Sequence, residues 1–252
     1  MTLTYIFHSG FVLETEKCLL VFDYWLDPEH IMTDILNKNS KPVYVFSSHF
    51  HEDHFTKEIF EWRKLYPSTM FRYILSKDIV RHRRAKKDDA DVWMAKGAVW
   101  EDDVIKVYAT GSNDSGVSWV IDCCDKWIFH AGDLNNWYAK FLADENTSGI
   151  ILSKEFMLVN PEKDEKRYLG ELKDIAKITT HFDLVMFPID ARIGNGYTRG
   201  GRQFIERFDT KMFVPMHFVT SGYESAWRMK EFTDQRNIPF WQISKIGDKI
   251  EL

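Results

Sequence analysis

The chain has 252 residues, 44% of them apolar and 15% aromatic, enough to bury a large core in one α/β domain covering residues 1–252. A net charge of −5 gives no global basic field for nucleic acid, and no run of 18 apolar residues offers a membrane span. Three cysteines, Cys18, Cys123 and Cys124, make no disulfide framework and no C-x-x-C pattern; with no basic leader at the N-terminus, the expected setting is the reducing cytoplasm.

Alternating apolar residues predict strands over residues 3–7, 11–14 and 18–22, with turns at Ser9-Gly10 and Glu16-Lys17. A helix is expected over residues 31–37, then a buried strand, Val43-Tyr44-Val45-Phe46, ending at Ser47. Phe55, Ile59, Trp62 and Leu65 recur at helical spacing and predict a helix over residues 53–66, closed by Pro67, before a strand at 71–75. The basic cluster Arg81-His82-Arg83-Arg84 with Lys86-Lys87 is followed by Asp88, Asp89 and Asp91, a balance that fits a solvated loop or a substrate patch.

The middle is strand-rich, at 99–101, 104–109, 117–122 and 126–130, the last two joined by a tight Cys123-Cys124-Asp125 hairpin. The final third alternates: helix 162–180, strand 184–187, helix 201–208, strand 212–215, helix 224–236. Strand-rich segments followed by strand/helix alternation imply sheets covered by helices.

The densest chemistry is His49-Phe50-His51-Glu52-Asp53-His54, directly after the Val43-to-Phe46 run. His49 and His51, two apart, share a side and can serve one centre; Asp53 and His54 can serve a second beside it. Imidazole and carboxylate donors suit zinc, iron or manganese, and paired sites suit hydrolysis. Three other apolar strands deliver polar groups at their carboxyl ends: Trp127-Ile128-Phe129 into His130-Ala131-Gly132-Asp133, Leu184 to Phe187 into Asp190-Ala191-Arg192, and Met212-Phe213-Val214 into His217. Active-site groups of layered α/β proteins gather outside such strand ends.

These residues resemble the metallo-β-lactamase-fold hydrolases. His49, His51, Asp53 and His54 match the H-x-H-x-D-H motif, Gly132-Asp133 the glycine-aspartate after a strand, and His217 the terminal metal histidine. The order covers residues 3–220 and is most similar to the small stand-alone branch related to sugar-phosphate lactonases. The resemblance implies a four-layer αββα sandwich with one or two divalent metal ions, zinc above all and manganese or iron as options. It implies that His49 and His51 bind the first ion, Asp53, His54 and His217 the second, and that Asp133 bridges them. Asp53 is also expected to move a proton. The family's further histidine, in the loop before residue 117, is missing here; Gly111-Ser112-Asn113-Asp114-Ser115 offers Asp114 as the chemical substitute and Ser112 as a weaker one.

Asp23, Asp190 or Glu52 can hold the second ring nitrogens of ligand histidines. His8 is either a substrate contact or a structural turn residue, and His130 donates to substrate or to backbone. Arg192 either clamps an anionic substrate or pairs with Asp190. Trp25, beside Tyr24, and Trp137, beside Tyr138, are candidate pocket walls. The expected function is metal-dependent hydrolysis of a small, anionic ester, lactone or phosphoester. A phosphodiesterase or nuclease is the alternative enzyme, and a non-catalytic metal-binding scaffold or sensor the alternative class. Neither a membrane nor a nucleic-acid partner is expected.

Overall fold

The computed structural model describes residues 1–139 and 160–252. Its first strands are β1 (Thr2–Phe7), β2 (Gly10–Glu14), β3 (Leu19–Phe22), β4 (Val43–Ser47), β5 (Phe71–Ser76) and β6 (Val92–Met94). A second group runs β7 (Val99–Glu101), β8 (Ile105–Gly111), β9 (Val117–Cys123), β10 (Lys126–His130), β11 (His181–Phe182) and β12 (Leu184–Pro188). The last three are β13 (Asp209–Thr210), β14 (Phe213–Met216) and β15 (Lys249–Glu251). One sheet has the order β15-β1-β2-β3-β4-β5-β6, the other β14-β12-β10-β9-β8-β7, and β11 pairs with β13 apart from both.

The two large sheets face each other. In β4, Tyr44 and Phe46 point into the inter-sheet core while Val43 and Val45 point to the outer helices. A strand buried on both faces must be apolar at every position, so this run carries no alternation. Phe46 stacks on Phe22 at 5.3 Å and meets Trp119 of the opposite sheet at 5.5 Å. Outside the first sheet lie the helices Ile31–Lys38, Trp62–Leu65 and Lys77–Arg81, anchored by Met32, Leu36, Trp62 and Ile79. Outside the second lie Pro161–Ile175 and Arg199–Arg207, with Phe204 stacked on Phe129 at 4.8 Å and Tyr168 set edge-on to Phe187. Helix, sheet, sheet, helix is the expected four-layer order.

Direction matters more for function than layer count. β3, β4, β5 and β6 pair in parallel, as do β10, β12 and β14. The carboxyl ends of β3, β4, β10, β12 and β14 carry Asp23, His49, Asp133, Asp190 and His217 to one edge of the sandwich. Three bonds tie the sheets together there: Val117 N–H to Ser48 O, His217 N–H to His8 O, and His130 Nε2–H to Ser9 O.

Several expectations shift. The helix expected over 53–66 is a turn through His54, a 3-10 segment Lys57–Glu61 and one α turn, Trp62–Leu65. Thr56, extended at φ −127°, accepts from Glu58 N–H and starts the helical stretch late, which frees Asp53 and His54 from helical geometry. The helix expected over 224–236 breaks into Tyr223–Ala226, a 3-10 turn and Lys230–Asp234. Strands β6 and β15, three residues each, give too little pattern to read. The Cys124-Asp125 turn has both residues at positive φ, 55° and 58°, the two-residue hairpin geometry that follows strand twist.

Candidate metal centre

Two donor clusters share the edge described above. His8, Asp53, His54 and His217 place their donor atoms within 4.8 Å of one another, and His49, His51 and Asp133 do the same. Asp133 sits between them. Its Oδ2 lies 3.2 Å from His49 Nε2, while its Oδ1 lies 3.1 Å from His54 Nε2 and 3.4 Å from His217 Nε2. One carboxylate thus offers one oxygen to each cluster.

Tautomers follow from the hydrogen bonds. Asp23, fully buried, takes Ser48 N–H at 2.7 Å, the Ser48 hydroxyl at 2.6 Å and His54 Nδ1 at 2.6 Å. Because the Ser48 hydroxyl gives its proton to Asp23, it accepts from His49 Nδ1 at 2.9 Å. His217 Nδ1 donates to Asp190 Oδ2 at 2.9 Å. Each of these imidazoles therefore carries a hydrogen on Nδ1 and turns its Nε2 toward Asp133, the arrangement that orients metal-binding histidines.

Those Nε2 atoms are buried and without hydrogen-bond partners, as are Asp133 Oδ1 and both ring nitrogens of His8. An unpaired buried polar atom costs roughly 1–3 kcal/mol. So many at one point, all lone-pair donors of imidazole and carboxylate type, fit a divalent cation of the zinc, manganese or iron kind.

Electrostatics agree. Burial alone raises a carboxyl pKa, yet the neighbouring His54, His49 and His217 hold Asp133 well below the usual carboxylate range. Asp53 is likewise driven down against its burial by His8 and His54. Burial holds the His8 imidazole at about 4, so it is neutral at pH 7. Asp190 is held at about 2: burial opposes this, and hydrogen bonds from His217 and Arg192 outweigh it.

The other expected residues fall differently. Asp114 is exposed and stands outside both clusters; its N–H is held by Ser112 Oγ at 3.2 Å. The loop's neighbouring Asn113 is committed to structure, exchanging bonds with the Asn135 backbone at 2.8 and 3.2 Å. Among the described residues, Asp114, the only carboxylate of this loop, joins neither cluster. His130 does not face the cleft: it is fully buried, stacks on Phe22 at 5.1 Å, donates from Nε2 to Ser9 O and accepts Gly132 N–H at Nδ1. Of its two expected roles the backbone one is realised. Arg192 binds Asp190 through Nε and a terminal nitrogen, at 2.9 and 2.5 Å, and that terminal nitrogen also lies 3.2 Å from His217 Nδ1, so of its two expected roles the pairing with Asp190 is the one seen. Glu52 pairs with Arg84 at 3.3 Å.

Trp25 meets the His8 ring edge-on at 5.8 Å, and Trp137 meets His217 at 5.6 Å, so two tryptophans flank the donors. Tyr24 is buried instead against Trp62. Beside Trp25 a cleft of about 530 Å³ is lined by Glu52, Phe55, Thr56, Lys57, Arg83 and Arg84.

No protein-family model matches the chain, and no curated protein matches it in sequence. Solved structures do. Igni18, a metallo hydrolase from the archaeon Ignicoccus hospitalis, superposes with a TM-score of 0.66 at 16% identity over 99% of this chain and 97% of its own. The metallo-β-lactamase fold protein YhfI from Bacillus subtilis gives 0.61 at 12% identity, covering 99% of each chain. The isothiocyanate hydrolase from Delia radicum gut bacteria gives 0.58 at 14% identity, over 100% of this chain and 99% of that one. The chain has the metallo-β-lactamase fold.

Proposed function

We propose that the protein is a metal-dependent hydrolase of a small anionic ester, lactone or phosphoester. The observation that carries this reading is the placement of Asp133, one oxygen toward each of two histidine-rich clusters. His49, His51 and Asp133 would hold one ion, and Asp53, His54, Asp133 and His217 would hold the other. A bound divalent cation supplies a Lewis acid and a water acidic enough to react near neutral pH.

The chain's own groups do the rest. Asp53 is the most exposed of the donors that bracket it, with its side chain 33% accessible against 4% for His8 and His217. Its ionised carboxylate accepts a proton from the attacking water and returns one to the departing oxygen as the C–O or P–O bond breaks. Trp25 and Trp137 wall the donors and restrict bulk water. Lys57 and Arg83 have no ion-pair partner among the described residues and line the adjoining cleft with Arg84. Two unpaired cations in one cleft, with Arg84 set against Glu52, favour a substrate with a negatively charged tail, and a phosphodiester is the second reading on the same ground. Zinc suits the histidine-rich clusters best. The cytoplasmic setting belongs to this reading and rests on three free cysteines.

The test loads metal-stripped protein with zinc, manganese or ferrous iron and assays aryl esters, lactones and phosphodiesters. Turnover that returns with metal and is lost in Asp53→Ala supports hydrolysis. Bound metal without turnover on any class supports a scaffold instead.

A further inference from the structure

The two clusters are unequal, and the imbalance comes from a residue outside the H-x-H-x-D-H motif. His8 lies in the turn between β1 and β2, where Phe7 pairs with Gly10 and the β1 register slips between Tyr5 and Phe7. Its φ is 55°, a left-handed conformation that is uncommon for a residue with a side chain. The turn is pinned on every side. His8 N–H donates to the Tyr5 hydroxyl at 2.8 Å, its carbonyl accepts His217 N–H at 3.2 Å, and Ser9 O accepts His130 Nε2–H at 2.9 Å. The backbone of His8 is thus bonded directly to that of another donor.

This strained turn delivers the imbalance. The His8 side chain is 4% accessible, and neither ring nitrogen has a hydrogen-bond partner. A buried imidazole normally gives its N–H to a partner; here Nε2 stands 3.3 Å from Asp53 Oδ2, and the ring lies 4.1 Å from that of His217 and 5.7 Å from that of His54. Ligands ~2.0–2.1 Å from one zinc ion stand about 3.3 Å apart along a tetrahedral edge. The spacing between His8 and Asp53 is that of two ligands of one ion. The other cluster has the opposite character: His51 is half-buried, and the loop from Ser112 to Ser115 adds no donor.

We propose that His8 is a fourth protein ligand of the Asp53, His54 and His217 centre, which holds one ion tightly, while the His49 and His51 centre holds a second, exchangeable ion. The proposal rests on the metallohydrolase reading above. Four donors and a shared carboxylate define the first position, against two histidines and that same carboxylate at the second.

The test is zinc titration of metal-stripped protein by calorimetry, with zinc counted per chain by elemental mass spectrometry after dialysis. Wild type is expected to retain one ion and to bind a second at least tenfold more weakly. His8→Ala should loosen the retained ion by 10–100-fold, and His51→Ala should abolish only the weak event. His8→Asn, which tolerates the left-handed turn, repeats the measurement with the backbone preserved, and circular dichroism confirms the fold of each variant. Retention of the tight ion in both His8 variants with loss of turnover makes His8 a substrate contact and overturns the proposal while leaving the hydrolase reading intact. Two ions of equal affinity in wild type also overturn it. No zinc bound by wild type sinks the proposal and the metallohydrolase reading together.

Discussion

His54 Nδ1 stands 2.6 Å from Asp23 Oδ2, and neither side chain is exposed to solvent. The same carboxylate takes two bonds from Ser48, whose hydroxyl in turn receives His49 Nδ1. Asp23 therefore sets the tautomer of one donor in each cluster, directly for His54 and through one hydroxyl for His49. It stays ionised although burial opposes this, because His130, His54 and His49 surround it. Replacing it with Asn keeps the shape and removes the charge. Asp23→Asn should weaken zinc binding at both centres by roughly 10–100-fold, the usual cost of losing an outer carboxylate. Ser48→Ala should weaken only the centre holding His49. Calorimetric titration of both variants checks this, and equal losses in the two would break the proposed relay through Ser48.

Asp133 faces a harsher test, since it contributes an oxygen to each centre. Asp133→Asn should deplete bound metal and cut turnover together, because one amide cannot replace two anionic oxygens. Metal counting alongside a kinetic assay decides the matter. Full activity with intact metal content removes the bridging role.

Much of this was legible in the sequence, for identifiable reasons. Val43 to Phe46 reads as a doubly buried strand because both faces are covered, and the parallel direction of β4, β10, β12 and β14 puts their polar carboxyl ends together. What sequence did not show depends on single residues. The turn expected at Ser9-Gly10 falls one position earlier, and that shift carries His8 into the donor cluster. Arg192 and His130 each had two open roles, and only partners distant in sequence, such as Ser9, or the rotamer of a neighbour, such as Asp190, decide between them. Asp114 matched by chemistry but not by placement, since its loop is tied down by Asn113.

Gly116 is a further position whose importance is spatial. It has φ +65°, and a Cβ there would stand 2.1 Å from Ser48 O and 2.5 Å from His49 Cβ. Gly116→Ala must displace the backbone that carries His49 or strain its own. The expected cost is at least ~2 kcal/mol of stability, with loss of metal at the His49 centre. Thermal denaturation and metal counting read the two effects, and a wild-type melting temperature would contradict the close approach.

Cations near the cleft divide into committed and uncommitted ones. Arg192 is committed to Asp190 through paired hydrogen bonds, so Arg192→Ala should leave KM for an anionic substrate within about twofold. Lys57 and Arg83 are uncommitted among the described residues. The double replacement Lys57→Ala with Arg83→Ala should raise KM about tenfold with kcat little changed, since binding far from the reacting bond is uniform to substrate and transition state. A raised KM in Arg192→Ala alone would return it to the role of anion clamp.

Metal removal should be felt by the fold as well as by turnover. Without an ion, His8, His49, His54 and His217 leave buried ring nitrogens unpaired around Asp133. Binding to the folded state alone stabilises it by about 2.7 kcal/mol when free metal is a hundred times its Kd. Zinc should therefore raise the melting temperature of chelator-treated protein, and that rise should grow between pH 5.5 and 7.5. The sign follows from the ligands: zinc takes neutral imidazole and must displace any proton held there, so acid competes with it. Differential scanning calorimetry at the two pH values measures both trends. Stabilisation that is equal at both pH values would mean that the ion binds through carboxylates alone, and the histidine clusters would need another explanation.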